Sequence, residues 1–117
     1  MRRTIWFIGA ILCWELLSPA YAAQTEKTGV ARTVYPDGKI RSEKNYWLGA
    51  KQGWFREFYP NGRIKSEKFY RDDKLEGLSR AFYPNGYLRW EKFYQAGKLI
   101  YYKKYDQTGH LVAEKKY

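Results

Sequence analysis

The chain has 117 residues, with 22 lysines and arginines against 12 acidic residues, a formal net charge of +10 and one cysteine, Cys13. This length has room for one domain, and a single cysteine excludes a disulfide framework within the chain or a zinc site built on several thiolates. The positive charge favours an acidic protein, an acidic polysaccharide or anionic lipid as partner; the simpler alternative is that lysines keep exposed strand edges from pairing.

The first segment, residues 1–22, has the features of a secretory signal. Arg2 and Arg3 give a positive start, residues 5–14 form an apolar run, and Ala20-Tyr21-Ala22 offers small residues where a signal peptidase cleaves. An N-terminal membrane anchor is the lesser alternative, because the run is far shorter than the roughly 20 residues needed to span a bilayer. We therefore expect an exported protein, periplasmic or secreted, with cleavage after Ala22.

A bacterial lipoprotein is a further alternative, because Cys13 lies near the end of the apolar run. It is disfavoured, since Leu12 precedes the cysteine where a small residue is expected. Removal of residues 1–22 then leaves a domain without cysteine, which is held together by burial and backbone pairing alone.

The rest of the chain is built from a repeated string. "FYPNGRIKSEKFY" (58–70) returns as "FYPNGYLRWEKFY" (82–94), with an earlier copy "VYPDGKIRSEKNY" (34–46) and a degenerate last copy "YDQTGHLVAEKKY" (105–117). Each unit has two runs rich in aromatic and β-branched residues on either side of a turn, which predicts one β-hairpin per repeat. We expect a flexible linker at 23–32 and a repeat domain at 33–117, with repeats near 33–56, 57–80, 81–103 and 104–117.

The Pro-Asn-Gly sequence specifies the turn. Proline at the first central position fixes φ near −65°, which excludes a type I′ turn. It favours a type I turn with the glycine left-handed, in a three-residue hairpin loop with a bulge. This loop predicts the cross-strand pairs Tyr59–Arg63, Phe58–Ile64 and Glu57–Lys65, the last an ion pair, and in the other copies the pairs Phe82–Leu88, Val34–Ile40 and Tyr105–Leu111. The residues expected to shape the turns are Pro36, Gly38, Pro60, Gly62, Pro84, Gly86 and Gly109.

Strict alternation along the strands predicts which side chains share a face. One face is expected to carry Trp54, Phe58, Ile64, Tyr70, Leu78, Phe82, Leu88, Trp90 and Tyr94, and the other Phe55, Tyr59, Phe69, Tyr83, Tyr87 and Phe93 among charged residues. Neither face is plainly polar. We therefore predict an all-β fold, an antiparallel hairpin meander of about four repeats in a single-layer curved sheet, in which each repeat rests on its neighbours.

The pattern F-Y-x-N-G-x-[IL]-x-x-E-x-x-Y resembles the variant MORN repeat found in many bacterial proteins, including those catalogued as YwqK-type antitoxins. The resemblance covers residues 33–117 and implies a ladder of antiparallel hairpins. It also implies a scaffold or contact surface for proteins and, in some cases, anionic lipids, without shared catalytic residues. The antitoxin members imply neutralisation of a partner protein by binding, and the predicted export argues against a toxin that acts inside the cell.

The sequence shows no catalytic constellation. His110 is the only histidine, and the adjacent Asp72 and Asp73 lack the further oxygen ligands that a cation site needs. Glutamates recur at one repeat position, each followed by lysine, which favours structural charge pairing over a pair of catalytic carboxylates: Glu43, Glu67, Glu91 and Glu114. We predict a non-enzymatic protein without cofactor or metal.

Two binding functions remain, beside the simpler alternative that the aromatic residues only fill the sheet. The first is a protein-interaction scaffold for an unidentified partner. The second is a module that binds cell-wall polysaccharide or an anionic membrane surface through aromatic and lysine or arginine side chains; nucleic acid is disfavoured by export. The candidate binding surface is Trp54, Tyr70, Tyr87, Trp90 and Tyr94. Lys115 and Lys116 lie on the last strand, whose unpaired edge also leaves self-association open.

Overall fold

The structure is a computed structural model that describes residues 27–117, so the predicted signal segment lies outside the described residues. These residues form one antiparallel sheet of nine strands. The strands are β1 (Gly29–Val34), β2 (Ile40–Trp47), β3 (Ala50–Phe58), β4 (Ile64–Arg71), β5 (Lys74–Leu75), β6 (Gly77–Phe82), β7 (Leu88–Gln95), β8 (Lys98–Tyr105) and β9 (Leu111–Lys116). Within 27–117, no helix has the length and apolar character needed to cross a membrane.

The strands follow the chain as a meander. Each strand pairs with the next, except that the short β5 pairs with β4 beside β6, and the sheet stays open and curved. The described part has no second layer, and its only buried residues are small ones, Ser42, Ser79 and Ala81. Neighbouring strands therefore provide the burial that a hydrophobic core provides elsewhere, and the predicted fold class is confirmed.

The sheet begins earlier than the sequence pattern predicts. Strand β1 starts at Gly29 and pairs with β2, so residues 29–32 belong to the sheet, although we expected them in the linker. The segment lacks the aromatic residues that mark the other strands. It nevertheless occupies the place in its hairpin that β3 and β6 occupy in theirs, because it leads into the same turn.

The Pro-Asn-Gly turns have the predicted form. The amide of Gly62 donates to the carbonyl of Tyr59 at 2.9 Å, the amide of Tyr59 donates to the carbonyl of Arg63 at 2.8 Å, and Gly62 has a φ of 85°. Asn61 keeps a negative φ, as a type I turn requires. Gly38, Gly86 and Gly109 repeat this positive φ, and all four predicted apolar pairs behind the turns are present, Phe58–Ile64 among them.

The predicted pair Glu57–Lys65 is wrong. Glu57 lies opposite Ser66, whose hydroxyl donates to its carboxylate at 3.1 Å, because the register shifts between Glu57 and Phe58 and leaves Lys65 as an extra residue. The same shift occurs behind the turn in every repeat. Since side chains alternate with a period of two, one bulged residue moves the rest of the outgoing strand to the opposite face.

The predicted division of aromatic residues between the two faces is therefore wrong for the outgoing strands, where the residues beyond the bulge lie on the opposite face from the predicted one. Trp54 lies opposite Phe69 on one face, with ring centroids 5.3 Å apart, although the pattern placed these two residues on different faces. Phe55 and Tyr70 share the other face, with centroids 4.7 Å apart. Strict alternation fails at the bulge because the extra residue adds one step to one strand only.

The opposite ends of the hairpins are closed by two-residue turns. Both residues of each turn have a positive φ, as a type I′ turn requires. Two of these turns end in glycine, whereas the third uses two aspartates, with φ of 48° and 64°. The turns are Leu48-Gly49, Asp72-Asp73 and Ala96-Gly97.

Tyrosine hydroxyls connect each of the three proline-containing turns to the next repeat. The hydroxyl of Tyr35 donates to the carbonyl of Phe58 at 2.6 Å, and that of Tyr59 donates to the carbonyl of Phe82 at 2.7 Å. Tyr83 donates in the same way to the carbonyl of Tyr105 at 2.9 Å. We call these three bonds the tyrosine staples; they fix the ends of the hairpins side by side without any second layer.

The last turn replaces the tyrosine by Asp106. Its carboxylate accepts hydrogen bonds from the hydroxyl and the amide of Thr108 and from the amide of His110. The hydrogen bond from the Thr108 hydroxyl has the largest effect, and that from the His110 amide the next largest; together they lower the pKa of Asp106 to about 2. The degenerate repeat thus closes its turn through a side chain within the turn itself.

Loss of one tyrosine staple should destabilise the sheet measurably. Tyr59→Phe removes a part-buried hydrogen bond to the Phe82 carbonyl and should lower the free energy of unfolding by about 1 kcal/mol. Tyr87→Phe is the matched control, because Tyr87 is 53% exposed and its hydroxyl makes no hydrogen bond with the described residues. Urea denaturation of both variants checks this, and equal stability of the two would contradict the staple.

Gly62→Val should destabilise through backbone strain alone. A Cβ at Gly62 meets no atom within 4 Å, so the cost arises from the φ of 85° and should be about 1–3 kcal/mol. Gln107→Val provides the control at an exposed turn residue without a positive φ. If thermal melting of Gly62→Val coincided with that of the control, the left-handed assignment would be refuted.

Candidate functional site

Strand pairing collects the lysines of the repeated E-K string on one face of the sheet. Lys44 lies opposite Phe55, which lies opposite Lys68, and Lys92 lies between Ser79 and Tyr102 in the same way. We call this the lysine face. Its four repeat lysines lie on every second strand of the ladder, about 10 Å apart given the usual strand spacing: Lys44, Lys68, Lys92 and Lys115.

Other cations lie on the same face. Arg41 and the bulged Lys65 line one depression together with Ser42 and Lys44. The strand register assigns one acidic residue to this face, Glu57, which accepts a hydrogen bond from Ser66. The cations of the lysine face are Arg41, Lys44, Lys51, Lys65, Lys68, Arg89, Lys92, Lys104 and Lys115. An acidic ligand would therefore meet a nearly uniform positive field.

Two shallow depressions mark the lysine face. One has a volume of about 290 Å³ and extends from Thr33 to Lys65; the neighbouring one has a volume of about 230 Å³ and lies between Lys44 and Lys68. Both are open to solvent and lined by serine, tyrosine and lysine side chains. Their shape suits an extended ligand that lies across the strands better than a small molecule enclosed in a pocket.

Aromatic rings support the lysines of this face. The ammonium group of Lys92 lies 4.8 Å from the ring centroid of Trp90 and 5.5 Å from that of Tyr102, and Lys51 lies 5.0 Å from the centroid of Tyr70. Such contacts let the aliphatic stems cover the sheet while the charged ends stay in water. The lysines are thus held over the sheet with their ammonium groups available.

The opposite face balances its charges. One row runs across the strands, with each residue opposite the next: Arg32, Glu43, Arg56, Glu67, Arg80, Glu91, Lys103 and Glu114. We call this the charge row. Glu67 lies 3.7 Å from both Arg56 and Arg80, and Arg80 lies 3.5 Å from Glu91. The recurring glutamates are therefore partners of cations on adjacent strands, which confirms structural charge pairing.

The five candidate binding residues do not form one surface. Tyr70, Trp90 and Tyr94 lie on the lysine face. Trp54 lies on the face of the charge row, with Arg56 above its ring. Tyr87 directly follows a Pro-Asn-Gly turn and lies near Gly109. Burial raises the pKa of Tyr94, as do the neighbouring hydroxyls of Tyr70 and Tyr117. That proximity shows that the tyrosines closing successive E-K-x-Y strings also share the lysine face.

Sequence reasoning considered lysine and arginine side chains only in general, for the alternative glycan or lipid module, and did not name the repeat lysines as site residues. The E-K lysines repeat with the glutamates, and we interpreted them as structural or solubilising residues. The signal that identifies them is the alternation of side chains along a strand. Because Glu and Lys are adjacent in each E-K string, their side chains must point to opposite faces. The glutamates enter the charge row, so their lysines collect on the other side. Among residues 27–117, no group of three or more His, Cys, Asp or Glu residues is placed to hold a metal ion.

Comparison with known families identifies the repeat. Residues 27–48 and 51–72 match the family model for the MORN repeat variant. Each match runs from an incoming strand through a Pro-x-Gly turn and along the outgoing strand. No curated protein and no solved structure matches the chain.

The repeat lysines should contribute little to stability. Lys44→Gln, Lys68→Gln and Lys92→Gln combined remove like charges about 10 Å apart that make no ion pair with the described residues. We expect the free energy of unfolding to stay within about 0.5 kcal/mol per site of the parent value, or to rise. Chemical denaturation at low and high salt measures this. A loss of several kcal/mol would show that the lysines hold the sheet together.

Proposed function

Because the chain is a MORN repeat protein, we propose that it is a non-catalytic binding scaffold whose lysine face receives an acidic partner protein. MORN repeats are generally found in proteins that bind other proteins or act as scaffolds. The observation that carries the proposal is the separation of charge between the faces. In the charge row, cations lie opposite acidic residues. On the lysine face, Glu57 is the one acidic residue that the strand register places beside Lys44, Lys68 and Lys92.

The arrangement suits an extended acidic segment. Repeat lysines about 10 Å apart offer successive contacts to a chain that crosses the strands, and each exposed ion pair contributes about 0.2–1 kcal/mol. Several such contacts together give appreciable affinity, although each is weak. The aromatic residues Tyr70, Trp90 and Tyr94 lie among these lysines and supply apolar contact area of the kind that concentrates binding energy in protein interfaces.

Binding outside the cytoplasm is part of the proposal. It is supported by the sequence of residues 1–22, with its positive start, apolar run and Ala20-Tyr21-Ala22 site. In this compartment the scaffold would neutralise or position an acidic protein by covering it. An immunity-like role is supported by the resemblance of the repeat to those of antitoxins.

The first test uses poly-L-glutamate as a defined acidic polypeptide. Lys44→Gln, Lys68→Gln and Lys92→Gln combined in the full chain should weaken binding roughly tenfold, since three exposed ion pairs are lost. The matched control removes three exposed lysines elsewhere, Lys39→Gln, Lys98→Gln and Lys116→Gln, and has the same net charge. Fluorescence anisotropy of labelled poly-L-glutamate measures both. Equal losses in the two triple variants would overturn the proposal, because binding would then follow net charge.

An acidic glycan or anionic membrane surface is a second candidate. It is favoured by the aromatic rings that lie beside the lysines on an open face, such as Trp90 under Lys92. Sedimentation of the full chain with insoluble peptidoglycan and with phosphatidylglycerol vesicles, at low and high salt, tests it. Trp90→Ala should reduce binding to a glycan, whereas salt alone should abolish binding to vesicles. No sedimentation with either material would exclude this candidate.

A further inference from the structure

The two outer strands of the described sheet are complementary to each other. Within residues 27–117, β1 pairs only with β2 and β9 pairs only with β8. Both outer strands are exposed along their whole length. Each presents a row of backbone amides and carbonyls on its outer side, which is a template for strand pairing. We propose that β9 of one molecule pairs with β1 of a second copy, so that the sheet continues from molecule to molecule.

The repeat itself supports this partner. Inside the chain, a strand that carries the E-K string pairs along one edge with the strand before it and along the other edge with the strand that leads into the next turn. The latter pairs are β2 with β3, β4 with β6 and β7 with β8. Strand β9 carries the fourth E-K string, and β1 leads into the first turn. Pairing of β9 with β1 therefore repeats a junction that the molecule already makes three times.

The register of this junction follows from the internal ones. Glu43 lies opposite Arg56, Glu67 opposite Arg80 and Glu91 opposite Lys103. The equivalent position at the new junction sets Glu114 opposite Arg32 of the second copy. The charge row would thus continue across the interface with its alternation of sign intact, so the two edges have complementary charge.

The neighbouring pairs are also compatible. The same register sets Lys115 opposite Ala31 of the second copy, so no like charges face each other across the junction. Ala113 comes to lie opposite Thr33, as Ser66 lies opposite Ala81 inside the chain. One internal feature is missing, because Asp106 replaces the stapling tyrosine at the last turn. The junction is therefore weaker than the internal ones and should form in a concentration-dependent manner.

The symmetry of this contact is head to tail. The surface on β9 differs from the surface on β1, so each added molecule leaves the same free edges as before. The assembly therefore extends the lysine face as a continuous surface. This inference rests on the outer strands and the charge row, and its outcome is independent of what the lysine face binds.

Disulfide trapping tests the proposed register. In the full chain with Cys13→Ser, we combine Thr33→Cys and Ala113→Cys, which face each other only at a junction between copies. Within one sheet these positions lie at the two outer strands, roughly 30 Å apart, whereas a disulfide needs Cα atoms about 4.4–6.8 Å apart. Mild oxidation should give a ladder of dimers, trimers and larger species on a non-reducing gel.

The matched control replaces Ala113→Cys by Lys116→Cys, which lies on the opposite face of the same strand. It should give several-fold less product. A ladder of equal strength in the control, or no species beyond those of the single-cysteine variants, would overturn the proposal.

A charge exchange tests the role of the charge row. Ala113→Cys with Glu114→Arg should link poorly to Thr33→Cys in a mixture of the two proteins, because two arginines then face each other. Adding Arg32→Glu to the second protein should restore the link at least severalfold. Restoration is the discriminating readout, since simple loss of folding in either variant would not be repaired by a second charge reversal. Failure to restore linking, with both variants folded by circular dichroism, would refute the pairing of Glu114 with Arg32.

Discussion

One extra residue behind each three-residue turn determines how the side chains of the repeats are divided between the two faces. Lys65 is the bulged residue of the second repeat. If Lys65 were paired regularly instead of bulged, it would lie opposite Glu57, and every later residue of β4 would point to the other face. With the bulge, Glu67 meets Arg56 and Lys68 meets Phe55. The separation of a balanced face from a basic face therefore depends on a single insertion in the ladder, repeated in register.

The fold tolerates this separation because it has no central core to fill. Stability comes from the contacts between adjacent repeats: backbone pairing, the tyrosine staples, aromatic pairs such as Trp54 with Phe69, and the charge row. Exposed ion pairs are weak singly, but in the charge row a glutamate such as Glu67 serves two arginines at once. Because the charge row balances its own charges, the cations of the lysine face are left without acidic partners other than Glu57 among the described strands.

Much of this fold follows from local sequence chemistry. Proline and glycine at fixed positions specify the three-residue turns, and the apolar pairs behind the turns follow from them, as Phe58 and Ile64 show. The further bulge beyond the loop does not follow, because the residue that it leaves unpaired, Lys65, is of the same type as other strand residues. The tyrosine staples also escape sequence reasoning, since Tyr59 reaches a carbonyl in the next repeat, 23 residues away. The candidate site was predicted least well. Assigning a side chain to a face requires counting alternate residues along the strand, and the bulge shifts that count by one.

The tyrosine staples also bear on how such a chain folds and how it changes over generations. Each staple joins one repeat to the next, and strand pairing likewise joins only neighbours, so long loops need not close before the sheet gains contacts. Folding can then start in any hairpin and spread outward, with modest entropy cost at each step. For the same reason, duplication or deletion of one whole unit in the gene would preserve the contacts between the remaining units. The sheet surface would then change in length while the types of residue on it stayed the same.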